Sequence, residues 1–396
     1  MVRPGKRTRP WLSLLGGLLA AGTAVAQPDL YLKSALSLAG VQDDNLFSTP
    51  ESRQGDRISR ITPEIAAGVR SERLSVAGRY AFDAERYAEH PELDTARARE
   101  VASFDLQSRP ARLLTFSLHG DYVSTLTPGE LNLATGLAAG RLRATRLALS
   151  PTVDWRLGPA TTGTASYTQT KDDLAGGVAA ETRATTVGLE RRLSPRDTGT
   201  LGYSLSRYDF EGGVATAAHT LSLGWERRVG PRTGFTLRAG PRYSEGRVDP
   251  EVSLSVQHGM KRLETSLTCS RSLATVIGRA GTVVTDSVLP AVSYRPTRAL
   301  QLSVSPGFFK IRDPLGGSDV RVYLIGLEAI WHIGDWMSLV GTYRRSRQRG
   351  FLDAAAPGAD GAVEEIARDT FLLSLVARQK VTPAPAATGA PPWVTP

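Results

Sequence analysis

The segment Leu74-Ser75-Val76-Ala77-Gly78-Arg79-Tyr80-Ala81-Phe82-Asp83 sets Leu74, Val76, Gly78, Tyr80 and Phe82 on one side of an extended chain and Ser75, Ala77, Arg79, Ala81 and Asp83 on the other. A period of two is the strand period, because successive side chains leave a pleated backbone on opposite faces. The same alternation returns in Phe116-Ser117-Leu118-His119-Gly120-Asp121-Tyr122, in Leu221-Ser222-Leu223-Gly224-Trp225-Glu226, and in Phe235-Thr236-Leu237-Arg238-Ala239. Strands therefore run from about Asp29 to about Lys380.

Alternation alone suits a water-soluble sandwich as well as a barrel in lipid, and the connections separate the two. Eighteen strands fit the pattern, with 16 the alternative, because 249–258 and 320–333 alternate less cleanly. The odd-to-even connections are long or glycine-rich, around 42–56, 86–96, 126–142, 172–181, 211–215, 245–249, 275–283, 313–319 and 350–367. The even-to-odd ones are tight, as at Ser71-Glu72, Arg109-Pro110, Gly158-Pro159 and Gly334-Asp335. Long and short connections in strict alternation predict an all-β, transmembrane, antiparallel up-and-down barrel with short turns at one rim and longer loops at the other.

Aromatic residues sort in the same way. On this register Trp155, Trp225, Trp331 and Trp336 fall at the rim of the short turns, and Tyr122, Tyr208 and Tyr243 towards the rim of the loops. Two aromatic girdles around an apolar band are expected where a barrel crosses both membrane interfaces.

The ends of the chain read differently. Arg3, Lys6, Arg7 and Arg9 precede an apolar run from Trp11 to Ala21 and the Ala24-Val25-Ala26 site, which predicts a signal peptide over 1–26, cleaved near Ala26. Its removal takes four of the basic residues, so a formal charge of +9 becomes +5 and the case for nucleic acid as a partner weakens. The barrel is then 27–381, followed by a proline- and alanine-rich tail, 382–396, that cannot pair into a sheet. A lone Cys269 excludes a disulfide framework.

The inward face carries the chemistry. It is read as Arg60, Arg79, Arg99, Asp121, Asp154, Arg156, Glu226, Arg228, Arg238, Arg242, Arg262 and Glu264. Such a mixed-charge wall is either a hydrated lining or a path selective for anionic or hydroxyl-rich molecules. No cofactor, metal or catalytic residue is expected. The five histidines lack ligand spacing, and Gly-x-Ser-x-Gly, His-Glu-x-x-His and P-loop motifs are absent. His119 with Ser117 and Asp121 is the one grouping that suggests a rim hydrolase.

Gln42-Asp43-Asp44-Asn45-Leu46-Phe47-Ser48 could hold calcium but lacks the glycine and distal glutamate of a calcium loop, so an Asx turn is the expected reading. An early Asp43-Asp44-Asn45-Leu46-Phe47 just after the first strand, ahead of about 18 alternating strands, resembles the outer-membrane β-barrel porin family encoded in exopolysaccharide gene clusters. The resemblance implies a passive conduit or anchor for exopolysaccharide in a Gram-negative outer membrane. Its implied partners are membrane lipid, the polysaccharide, periplasmic export components and the barrel assembly machinery. A general diffusion porin and an adhesive surface barrel are the alternatives.

Overall fold

A computed structural model describes residues 29–314, 319–350 and 365–379. The expected signal peptide, the proline-rich tail and most of the 350–367 loop lie outside them. The described chain forms one antiparallel sheet of 18 strands. The first nine are β1 (Asp29–Asp43), β2 (Asp56–Arg70), β3 (Leu74–Tyr87), β4 (Thr95–Ala111), β5 (Leu114–Thr125), β6 (Ala144–Gly158), β7 (Thr161–Leu174), β8 (Ala180–Arg192) and β9 (Asp197–Phe210). The rest are β10 (Ala215–Gly230), β11 (Thr233–Ser244), β12 (Arg247–Gly259), β13 (Leu263–Thr275), β14 (Thr282–Tyr294), β15 (Leu300–Arg312), β16 (Asp319–His332), β17 (Met337–Arg349) and β18 (Glu365–Arg378). Each pairs with its neighbours in sequence, and β1 pairs with both β2 and β18. The sheet thus closes on itself and leaves no free edge.

The two less regular segments are full strands, β12 and β16, which settles the count at 18. Strand ends fall within a few residues of the expected positions, with two corrections. β4 runs on to Ala111, so the tight turn sits at 112–113 and not at Arg109-Pro110. The β11–β12 connection, expected over 245–249 as long or glycine-rich, is a two-residue turn in which Glu245 (φ 50°) and Gly246 (φ 76°) are both left-handed. Positive φ at both central residues matches the right-handed twist of the flanking strands, which is why so short a turn suffices there.

The outward face is apolar and exposed: Leu36, Leu38, Ile61, Ile65, Leu147, Leu149, Leu221, Leu223, Ile325, Leu327, Leu373 and Leu375 form a belt around the wall. Cys269 joins it, paired with Leu254 and Val288. A belt of this extent is what a bilayer covers and water does not. Trp155, Trp225, Trp331 and Trp336 gather at the rim of the turns. The Trp155 indole lies over Gly163 on the neighbouring strand, where the missing side chain makes room for it.

The buried core is displaced from the usual place. It lies inside the wall at the loop rim, where loops fold inward. Leu137, from the 126–143 connection, packs on Ala274, Val283, Phe309, Ile311, Val320 and Val322. Leu46 packs on Val41, Ile58 and Tyr87, with Phe47, Leu93 and Leu372 around them.

Candidate functional site: the lumen and the loop across it

Inward side chains of β2 to β7 form a ladder of opposite charges. Arg60 contacts Glu85 at 2.6 Å and approaches Asp83 at 3.9 Å. Arg79 contacts Glu64 at 2.8 Å. Arg146 makes a forked contact with Asp172, at 2.6 and 2.7 Å. Each pair joins adjacent strands at nearly the same height, which the antiparallel register dictates. Hydroxyl pairs line the wall elsewhere around the barrel: Ser37 with Ser374 at 2.6 Å, Ser150 with Thr168 at 3.2 Å, Thr186 with Ser204 at 3.1 Å and Ser270 with Ser287 at 2.8 Å.

Several rungs reach out to hold the 126–143 loop. Arg99 of β4 lies 3.1 Å from Glu130 in the loop. Arg146 Nη1 donates to the Leu131 carbonyl at 2.7 Å. Arg141, from the loop, sets its guanidinium 4.8 Å from the Tyr87 ring centre and 3.9 Å from Glu85. Beyond these anchors the loop crosses to the far wall. The Ile277 amide donates to Asn132 Oδ1 at 3.1 Å, and the Ala138 amide donates to Gln348 Oε1 of β17 at 3.0 Å. Gly136 (φ 66°) passes so close to the β15 wall that a Cβ would lie 2.9 Å from the Phe309 ring. The segment spans from the β5–β6 side to β14–β17, so it lies across the lumen and narrows it at the loop rim.

The turn rim is more open. A groove of about 690 Å³ runs along the inner wall of β7 to β10, lined by Thr162, Glu190, Arg192, Thr198, Glu226 and Arg228 among others. Arg156 and Asp154 stand one strand away on the same face, with Asp154 accepting from Thr164 Oγ1 at 2.7 Å. Glu264 pairs across from Gly259 and Ser293 near this rim.

Of the residues expected to line the lumen, Arg60, Arg79, Arg99, Asp121, Asp154, Arg156, Glu226, Arg228, Arg238, Arg242 and Glu264 stand on inward positions of their strands. Arg262 does not: it sits in the β12–β13 turn and donates to the Pro296 carbonyl at 2.9 Å, because β12 ends at Gly259 and β13 starts at Leu263. Arg242 faces inward but is 1% exposed, held 3.4 Å from Asp249 and 3.6 Å from Glu251, so water in the lumen does not reach it. Arg238 is exposed, and no carboxylate lies within 4 Å of it among the described residues.

Among the aromatics, Tyr122 and Tyr243 point outward, whereas Tyr208 points into the lumen. Its register partners Thr182 and Thr216 share the inward face, while its neighbours Arg207 and Asp209 point out. The interfacial role expected of Tyr208 is corrected accordingly.

His119 sits between two carboxylates, with Nδ1 at 2.7 Å from Asp105 and Nε2 on Asp121. Both ring nitrogens are engaged by acids and neither by a serine, so this grouping lacks the nucleophile–base contact a hydrolase needs.

The carboxylates of the Asp43-Asp44-Asn45 motif are engaged by the last strand. Arg368 of β18 grips Asp43, Asp44 Oδ1 accepts the Asp369 amide at 2.6 Å, and Asn45 Nδ2 donates to the Ala367 carbonyl at 2.9 Å. The Asn45 amide also donates to Asp43 Oδ1 at 3.1 Å, which is the expected Asx turn. Sequence reasoning missed Glu85, Glu130, Arg141, Asp172 and Arg368. Glu85 and Asp172 sit at the ends of alternating runs and could have been found by extending the period two residues. Glu130 and Arg141 carry no such signal.

The chain is similar in fold to solved barrels. OccAB4 of Acinetobacter baumannii aligns with a TM-score of 0.49 at 9% identity, over 90% of this chain and 99% of that one. OpdO of Pseudomonas aeruginosa gives 0.49 at 10% identity, over 89% and 97%. OccK11 (OpdR) of Pseudomonas aeruginosa gives 0.45 at 15% identity, over 88% and 95%. No family model and no curated protein matches the chain.

Proposed function

We propose that this chain is an outer-membrane barrel that passes hydrophilic solutes, with a preference for anionic or hydroxyl-rich ones. The observation that carries the reading is the lumen wall itself. Ion-paired rungs and hydroxyl pairs keep it wetted, while exposed arginines such as Arg238, Arg156 and Arg228 remain available to a passing anion. Guanidinium forks match carboxylates, and neighbouring hydroxyls can exchange hydrogen bonds with a sugar in place of water.

Within this class, export of exopolysaccharide is one substrate assignment, with polysaccharide and periplasmic export components as partners. The 126–143 loop across the lumen favours a second assignment, a diffusion pore for small solutes, since a polymer would need that loop to move aside. Reconstitution in planar bilayers tests both. Stable ionic conductance is the expected result, and a membrane that stays sealed at all voltages and salt concentrations overturns the conduit. Long acidic polysaccharide that blocks current from one side only points to export; block by short oligosaccharides alone points to the diffusion pore.

A further inference from the structure

At the loop rim the outward face carries charge where the apolar belt ends. On β7 to β9 this charge is self-neutralising: Lys171, Arg183 and Arg207 share the face with Asp173, Glu181 and Asp209. On β16 to β18 it is not. Arg345, Arg347 and Arg349 stand in a row along β17, with Arg321 of β16 paired directly against Arg349. Among the described residues two acids serve three of these arginines and none contacts Arg321; Asp319, on the same face of β16, is taken by Lys310 of β15 at 2.9 Å. Glu365 contacts both Arg347 and Arg349, the latter at 3.1 Å, and Asp369 lies 3.8 Å from Arg345.

These arginines face away from the lumen. In the register, Arg345 is opposite Ile325 and Arg347 opposite Tyr323, both exposed members of the outer belt. Tyr343 and Phe371, paired with each other, lie just below. Tyr343 and Tyr323 mark the headgroup level: Arg345 stands two residues past Tyr343, Arg347 is level with Tyr323, and Arg321 and Arg349 lie two residues past it. Solvent water would tolerate the excess charge, but a position against lipid headgroups selects for what those headgroups carry. A guanidinium offers a planar fork that matches phosphate in a bidentate manner.

We propose that the Arg321, Arg345, Arg347 and Arg349 face binds a phosphorylated lipid headgroup of the leaflet at the loop rim. The inference rests on the outer-membrane reading above for the identity of that leaflet. The binding itself can be measured without it.

The test uses the full chain, refolded in neutral detergent, and native mass spectrometry with two probes: lipid A bearing both phosphates, and the same glycolipid with its phosphates removed. The phosphorylated form should be retained and the dephosphorylated form lost. The triple variant Arg345→Gln, Arg347→Gln, Arg349→Gln should weaken retention between about tenfold and a hundredfold, since each basic residue at an anionic surface is worth about fivefold. Arg183→Gln with Arg207→Gln, on the self-neutralised face, should leave retention unchanged. Retained heat-modifiable gel mobility shows that each variant is folded. Equal retention of both glycolipids, equal retention by the triple variant, or complete displacement by millimolar inorganic phosphate overturns the proposal. A barrel that binds the phosphorylated lipid yet conducts no ions would overturn the conduit and leave this site standing.

Discussion

Arg368 on the last strand grips Asp43 at the end of the first, with Nε at 3.0 and 3.1 Å from the two carboxylate oxygens, across 325 positions of sequence. Asp43 is 2% exposed, so the pair sits inside the wall where the sheet closes. Closing a barrel demands that its two most distant strands find one register. A buried fork accepts only one alignment of those strands, and that selectivity is its contribution beyond raw stability.

Asp43→Ala strands the Arg368 guanidinium in a part-buried position and should cost about 3–5 kcal/mol. A lowered transition temperature for the heat-modifiable mobility shift is the measurement. Arg368→Met with Asp43→Leu should recover part of that loss. A single Asp43→Ala variant as stable as the parent would show that closure does not depend on this pair.

Asn45→Ala removes a side chain that donates to the Thr49 and Ala367 carbonyls, at 2.7 and 2.9 Å, and accepts the Thr49 amide at 3.0 Å. Each lost bond to a buried group costs about 1 kcal/mol or more. Hydrogen exchange over 44–55 and the start of β18 should accelerate together. Acceleration in the loop alone would show that the turn and the closure are independent.

Leu137→Ala opens a cavity against Phe309 and Val322 and should weaken loop docking by about 2–5 kcal/mol. Because the loop lies across the lumen, single-channel current should rise in amplitude or begin to flicker. Arg141→Ala, which removes the contact with Tyr87 and Glu85 from the other end of the loop, should act in the same direction. Channel records unchanged in both variants would show that the loop does not limit flow.

Arg238→Ala and Arg242→Ala should separate. Arg238 is exposed in the lumen, so its loss should lower anion preference, read as a shift in reversal potential across a salt gradient. Arg242 is buried between Asp249 and Glu251, so its loss should chiefly destabilise the fold and leave reversal potential nearly constant. Equal shifts from both would place Arg242 in contact with the conducting path.

Gly163→Val should disturb the turn rim. The Trp155 indole occupies the space a side chain at 163 would need, so either the ring leaves its rotamer or the strands separate, at about 1–3 kcal/mol. Tryptophan fluorescence should shift to the red as the indole is displaced; an unshifted spectrum would show that the ring has another place to rest.

How much of this was legible beforehand varies by residue. The alternation in Leu74–Asp83 assigns each of those ten side chains to the face it occupies, because a period of two follows from backbone geometry alone. The same rule places Arg79 and Asp154 inward and Trp225 outward. It fails for Arg262, where the strand ends one residue short. It also fails to tell Arg238 from Arg242, which share a face and differ only in what neighbouring strands bring beside them. Tyr208 shows the related weakness: its height along the strand was readable, but its residue type suggested the interface while its parity put it inside.

The sequence by itself determined the class of fold, the order of its strands and which face of each points outward, because the faces repeat locally every two residues and the connections alternate long and short along the chain. Only the tertiary structure decided where the loops go. Leu137 meets Phe309, Ala138 meets Gln348, and Asp43 meets Arg368 through contacts whose partners are more than a hundred residues apart. No local period encodes such a distance; the partners become neighbours only once the wall has curved through 18 strands and closed. The narrowing of the lumen depends on that closure, whereas the burial of Arg242 and the uneven charge of the outer rim depend on what adjacent strands bring beside each other.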